Sequence, residues 1–119
     1  MSNAGLDTPW PKLVRAKAGL ANWLRTASDD RHALFPVLSD RAMAADAAVP
    51  DTGLSRERER LLSSPFIVSD DYGTRCSTVV AISRAGTVEF VERSFDPSGA
   101  VTGEVEFSFR SDAVNYSAD

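Results

Sequence analysis

A change of periodicity at Pro65 constrains this chain more than any other feature. Upstream the sequence is rich in Ala, Leu and Arg; downstream it turns to Val, Thr, Ser and Phe, punctuated by turn signals. The first pattern suits helices and the second suits strands. The expectation is an α+β fold, with N-terminal helices followed by an antiparallel meander. A length of 119 residues with 43% hydrophobic content fits one small domain with a modest core. Within it, residues 1–64 are expected to be mainly helical, 65–110 to be strands, and 111–119 to form a loose tail.

The first helix should begin at "DTPWPK", where Thr8 or Asp7 can cap the free amides and Pro9 suits the first turn, and run to about Ala27. "ASDDRHALFPVLSDR" predicts a shorter helix interrupted at Pro36, because proline lacks an amide donor. "VPDTGL" is a loop, and "SRERERLLSS" predicts a short helix capped by Ser55 or Thr52. Its "RERER" run is expected to be a solvated, charged face.

Four strands are expected, "PFIVS", "TRCSTVVAIS", "TVEFVERSF" and "GEVEFSFR", joined by "DDYG", "RAG" and "DPSGAVTG". In the last, Val105, Phe107 and Phe109 alternate with Glu104, Glu106 and Ser108, which predicts an edge strand whose polar face is wet. Thr78 to Ile82 is apolar on both faces of the pleat, the mark of a central strand covered on two sides.

A net charge of -4 and a pI near 4.9 give no general attraction to phosphate backbones, so nucleic acid is not an expected partner. No run approaches the roughly 20 apolar residues of a membrane span, and no signal-peptide pattern opens the chain. A cytoplasmic protein without a transmembrane segment is therefore expected. A single cysteine, Cys76, excludes an intrachain disulfide. One His and one Cys also argue against a protein-only zinc site. Cys76 is expected in the core, and His32, beside Asp29 and Asp30, at an exposed helix start. There is no phosphate-binding glycine loop and no Ser/His/Asp arrangement.

Two basic residues are candidates for a site. Projected on a helix, Trp10, Leu13, Val14, Leu20, Ala21 and Leu24 share an apolar stripe, and Lys17 falls inside it. The lysine either snorkels to the rim or sits in a cleft against a carboxylate or an anionic ligand. Arg75 stands between the "DDYG" turn and a strand; its planar fork of donors suits a carboxylate.

"LDTPWPKLVRAK", "VPDTGLSRERERLLSSPFIVSDDYGTRCSTVVAISRAGTVEFVERSF" and the opening "SNAGL" resemble the C-terminal half of the NRDE family, also called the transport and Golgi organization protein 2 family. The resemblance implies an αββα sandwich like that of the N-terminal nucleophile (Ntn) hydrolases, in a protein about twice this length that opens with a cysteine and an Asn-Arg-Asp-Glu motif. Neither occurs here, so the resemblance implies a portion lacking the nucleophile and inactive alone. By the same resemblance Asn3 and Arg75 line the substrate site, Asn3 donating to an oxyanion and Arg75 pairing with an acidic substrate group or orienting the nucleophile. Lys17, in "KLVRAK", is a third candidate. The implied partner is the missing N-terminal half, or a second copy where that half is lacking. No cofactor is expected, although the alternative reading, a binding or trafficking protein, would carry haem, a lipid or an acyl-CoA.

Overall fold

The computed structural model describes residues 5–111. Helices α1 (Pro11–Arg25), α2 (Phe35–Leu38) and α3 (Arg56–Leu61), with 3-10 turns at Arg31–Leu34 and Asp46–Ala48, precede strands β1 (Cys76–Ile82), β2 (Thr87–Phe95) and β3 (Val101–Arg110). The strands form one antiparallel sheet in the order β1-β2-β3. The α+β reading therefore stands, with three strands among the described residues instead of the expected four.

"PFIVS" is not a strand because its groups bond elsewhere. The Phe66 amide donates to the Asp40 carbonyl at 2.9 Å, and the Ile67 amide donates to the Thr74 hydroxyl at 2.9 Å. Only an isolated bridge, Val68 to Gly73, closes the "DDYG" turn. The Phe66 ring meets Phe95 edge-on with centroids 4.8 Å apart, a favourable aromatic geometry.

Helix α1 starts at Pro11 with Trp10 as a cap that lends no side chain. The Thr8 hydroxyl donates instead to the Gly5 carbonyl at 3.0 Å. Ala27, at φ +51°, lies in the left-handed region and past the helix end. No residue of α1 is buried, so the expected stripe is not the packing face. The opposite side makes the contacts. Arg15 pairs with Asp40 at 2.8 Å, Lys12 donates to the Leu62 carbonyl at 3.0 Å, and the Trp23 indole donates to the Asp30 carbonyl at 3.0 Å. Val14, Leu20 and Leu24 are left exposed.

The core is the segment Arg31–Leu38 laid on one face of the sheet. Phe35, Val79 and Val91 cluster there, flanked by Leu34 and Leu38. Ala44, Val49, Phe66 and Phe95 are buried outside that cluster, with Phe66 and Phe95 packed edge to face. The Cα radius of gyration is 16.6 Å, against about 13 Å for a compact domain of this length.

Candidate functional site

Each face of the sheet follows from its register. Val80 pairs with Phe90 and Ile82 with Val88; Phe90 pairs with Phe107 and Val88 with Phe109. Cross-strand partners share a face, so all six stand together, on the side away from Phe35. That face is open: Ile82 is 70% exposed, Phe107 59% and Phe109 55%. The Phe90 and Phe107 rings lie 6.1 Å apart. One expectation is corrected here: β1 is an edge strand and β2 the central one. β3 is the expected edge, exposed along its whole length, and its polar side is the one turned toward the helical segment. The apolar run of β1 is suited to two covers, and the described residues supply one.

The same outer face becomes polar at its other end. Cys76 pairs with Ser94 and Thr78 with Glu92, and the Thr78 hydroxyl donates to Glu92 at 2.7 Å. Cys76 is exposed, not a core residue, because it faces outward where Ser77 faces in. Beside this end Arg75 lines a cleft of about 360 Å³ with Asp70, Asp71, Tyr72, Thr74 and Asp96. Arg75 is exposed, and no acidic side chain among the described residues pairs with it. Lys17 is exposed as well, pairs with Asp7 at 2.6 Å, and is not among the residues lining the Arg75 cleft. Asn3 lies outside the described residues.

Helix α3 binds the two loops that carry the most specific motifs. Its Ser55 cap accepts from the Arg58 amide at 3.3 Å, as expected. The "RERER" run is solvated only in part: Arg56, Glu57 and Arg60 are exposed, while Arg58 is half-buried and Glu59 buried. Glu59, 5% exposed, accepts from the Thr52 amide at 2.5 Å, the Thr52 hydroxyl at 2.6 Å and the Leu54 amide at 3.3 Å, fixing "PDTG". Thr52's hydroxyl above all holds the Glu59 carboxyl below the usual range, against the effect of burial. Arg58 reaches both Asp71 oxygens, at 3.1 and 3.0 Å, and lies 5.2 Å from the centre of the Tyr72 ring, fixing "DDYG". The hydrogen bond and charge of Arg58 lower the Asp71 carboxyl. Arg60 pairs with Asp46 at 3.2 Å.

His32 is not the simple capping residue that its neighbours suggested. Its amide does donate to Asp30 at 2.9 Å, but its Nε2 also stands 3.1 Å from Glu104 Oε1 and 3.0 Å from Glu106 Oε1. The Glu104 hydrogen bond leads the effects raising its pKa above the ordinary value. Arg93 binds the other oxygen of Glu104 and is the main cause that lowers that carboxyl. His32 stands 72 positions before Glu104, so only the alternation in "GEVEF" could have hinted at the meeting.

Fold and site together define a helix-flanked antiparallel sheet covered on one face, with a cleft at the start of β1 where Arg75 stands among Asp70, Asp71 and Asp96. Residues 1–97 match the family described as Transport and Golgi organisation 2, and the chain belongs to that family. It is 35% identical over 124 residues to the Transport and Golgi organization protein 2 homolog of Bos taurus, covering 93% of this chain and 44% of the relative. To the Transport and Golgi organization 2 homolog of Mus musculus it is 27% identical over 122 residues, with the same coverage, 93% and 44%. The chain thus spans less than half the length of these curated relatives. No helix among the described residues is long and apolar enough to cross a membrane.

Proposed function

We propose that this chain is the site-completing portion of an Ntn-type, amidohydrolase-like protein, that its open sheet face receives the remaining portion as a second sheet, and that it has no turnover alone. The observation carrying this reading is the face formed by Val80, Ile82, Val88, Phe90, Phe107 and Phe109. Large contiguous apolar surfaces on soluble chains mark interaction sites, and two sheets packed face to face bury just such alternating residues. Relatives more than twice as long have ample chain to supply the cover.

In this reading Arg75 projects into a cleft completed by the covering part, where its guanidinium pairs with an acidic substrate group or orients the incoming nucleophile. Asn3 donates to the oxyanion. Lys17 is the weaker third residue, since its pair with Asp7 must open before it can reach a ligand.

A second reading has one observation in its favour. The same face, with the Phe90 and Phe107 rings near each other, would accept the flat apolar surface of haem or an acyl chain in a carrier without turnover. Light scattering on this chain, with and without a separately produced remainder bearing the cysteine and Asn-Arg-Asp-Glu segments, separates the readings. A one-to-one complex is expected; a monomer indifferent to the remainder overturns the completion reading. Amide hydrolysis by the complex then supports the enzyme, and ligand binding without turnover supports the carrier.

A further inference from the structure

The His32 cluster presents a chemistry that neither reading uses. Three donor atoms, His32 Nε2, Glu104 Oε1 and Glu106 Oε1, lie within 4.8 Å of one another. The two distances from the imidazole nitrogen are 3.1 and 3.0 Å. Ligands on a tetrahedral zinc ion, with bonds of about 2.0 to 2.2 Å, stand roughly 3.3 to 3.6 Å apart, so a bound ion would spread these donors by a few tenths of an ångström. A single Nε2–H can be directed well at only one of the two carboxylates, so the arrangement asks one proton to serve two acceptors.

Two of the three donors have a group behind them. Glu104 and Glu106 are two apart on β3 and so project from one face. Arg93 holds Glu104 by its Oε2, which leaves Oε1 directed at His32, and Arg93 is itself stacked on the buried Phe35 ring at 4.0 Å. The Asp30 carboxylate lies 3.6 Å from His32 Nδ1, the position from which outer groups orient metal-binding imidazoles. A cleft of about 400 Å³ lined by Arg31, His32, Glu89 and Glu106 gives access. A divalent ion beside neutral His32, together with Arg93, would balance the charges of Asp30, Glu104 and Glu106.

We infer that His32, Glu104 and Glu106 form a three-ligand site for a divalent transition-metal ion of zinc type, with the fourth position open toward the cleft. One nitrogen and two carboxylate oxygens are a donor set that zinc accepts. Binding replaces the His32 proton, which leaves to solvent, and ties the 3-10 turn Arg31–Leu34 to edge strand β3 through the metal. The site lies on the inner side of the sheet, so it is independent of what covers the outer side.

Isothermal titration of the full chain with ZnCl2 at pH 7.5 tests the inference, alongside His32→Gln, Glu106→Gln and Cys76→Ser. One ion per chain is expected. Losing an outer-sphere partner typically costs about 10- to 100-fold in affinity, so His32→Gln and Glu106→Gln should each weaken binding at least tenfold. Glu106 is largely exposed, so its variant keeps the fold and separates loss of a ligand from loss of structure. Cys76→Ser should bind as the parent does. Absence of binding, binding unaffected by the first two changes, or binding lost with Cys76 would each overturn the site.

Discussion

The Arg93 guanidinium carbon sits 4.0 Å from the centre of the Phe35 ring, and that ring is 1% exposed. One aromatic side chain thus seals the small core against Val79 and Val91 while its face supports the arginine that positions Glu104. Phe35→Ala should cost about 3 to 5 kcal/mol, the usual range for deleting a buried phenylalanine, read as a shifted urea midpoint. Phe109→Ala, the same change on the open face, should stay within about 0.5 kcal/mol in the monomer. Equal losses would mean that the outer face is already covered in solution.

Glu59 supplies an acid-sensitive hold on the "PDTG" loop. Its pKa in the folded chain lies below the ordinary 4.5, mainly through the Thr52 hydroxyl. The ionised form is therefore favoured by folding. Its contribution is present above the unfolded pKa and is lost as pH falls through the lower, folded one. Glu59→Gln should be less stable than the parent at pH 7, and the gap between their urea midpoints should close at more acidic pH. A gap unchanged with pH would show that the carboxylate charge has no part in holding the loop.

Local signals carried much of this fold. The Ser55 cap and the turn-separated meander are encoded within a few residues of where they act, and local codes are legible. What misled were signals whose meaning depends on the partner. Thr78 to Ile82 is apolar on both faces, yet β1 is an edge with one face open, because composition records suitability for a cover and not its presence. The stripe on α1 misleads for the same reason: Val14 and Leu24 are suited to a surface that the described residues do not provide. Glu104 and Glu106 are exposed as expected, but the His32 that meets them comes from 72 positions before Glu104. The charges of "RERER" likewise acquire their roles from Thr52, Asp71 and Asp46. Of the two basic residues that the pattern singles out, Arg75 lines a cleft and Lys17 pairs with Asp7.

Gly99 is needed for two reasons that can be separated. Its φ is +78°, and a Cβ there would meet Arg41 Nη2 at 2.7 Å, Val68 Cγ2 at 2.9 Å and Phe66 Cε1 at 3.0 Å. Gly99→Ala should lose about 2 kcal/mol or more, combining left-handed strain with crowding of the Phe66 cluster. At Gly53, with φ +91° and nothing within 4 Å, alanine incurs the strain alone, about 1 to 2 kcal/mol. Thermal unfolding of both variants should rank Gly99→Ala clearly lower; equal melting temperatures would show that the turn relaxes away from Phe66.

The open face gives the sharpest test of what this chain is for. Phe107 and Phe109 project from an edge strand all of whose residues are exposed, so they contribute little to the monomer's own core. Burying a phenylalanine in an interface stabilises it by about 1.5 to 3 kcal/mol, and each 1.4 kcal/mol is about tenfold in affinity. Phe107→Ser and Phe109→Ser together should therefore leave the unfolding midpoint nearly unchanged, abolish self-association at micromolar concentrations, and weaken the complex with the remaining portion by about 100-fold or more. Val14→Ser, on the equally exposed side of α1, serves as the control, because the proposed cover lies on the sheet. If the Val14 change weakened the complex and the β3 pair did not, the remaining portion would dock on the helical layer, and a second sheet packed on the first would be the wrong architecture.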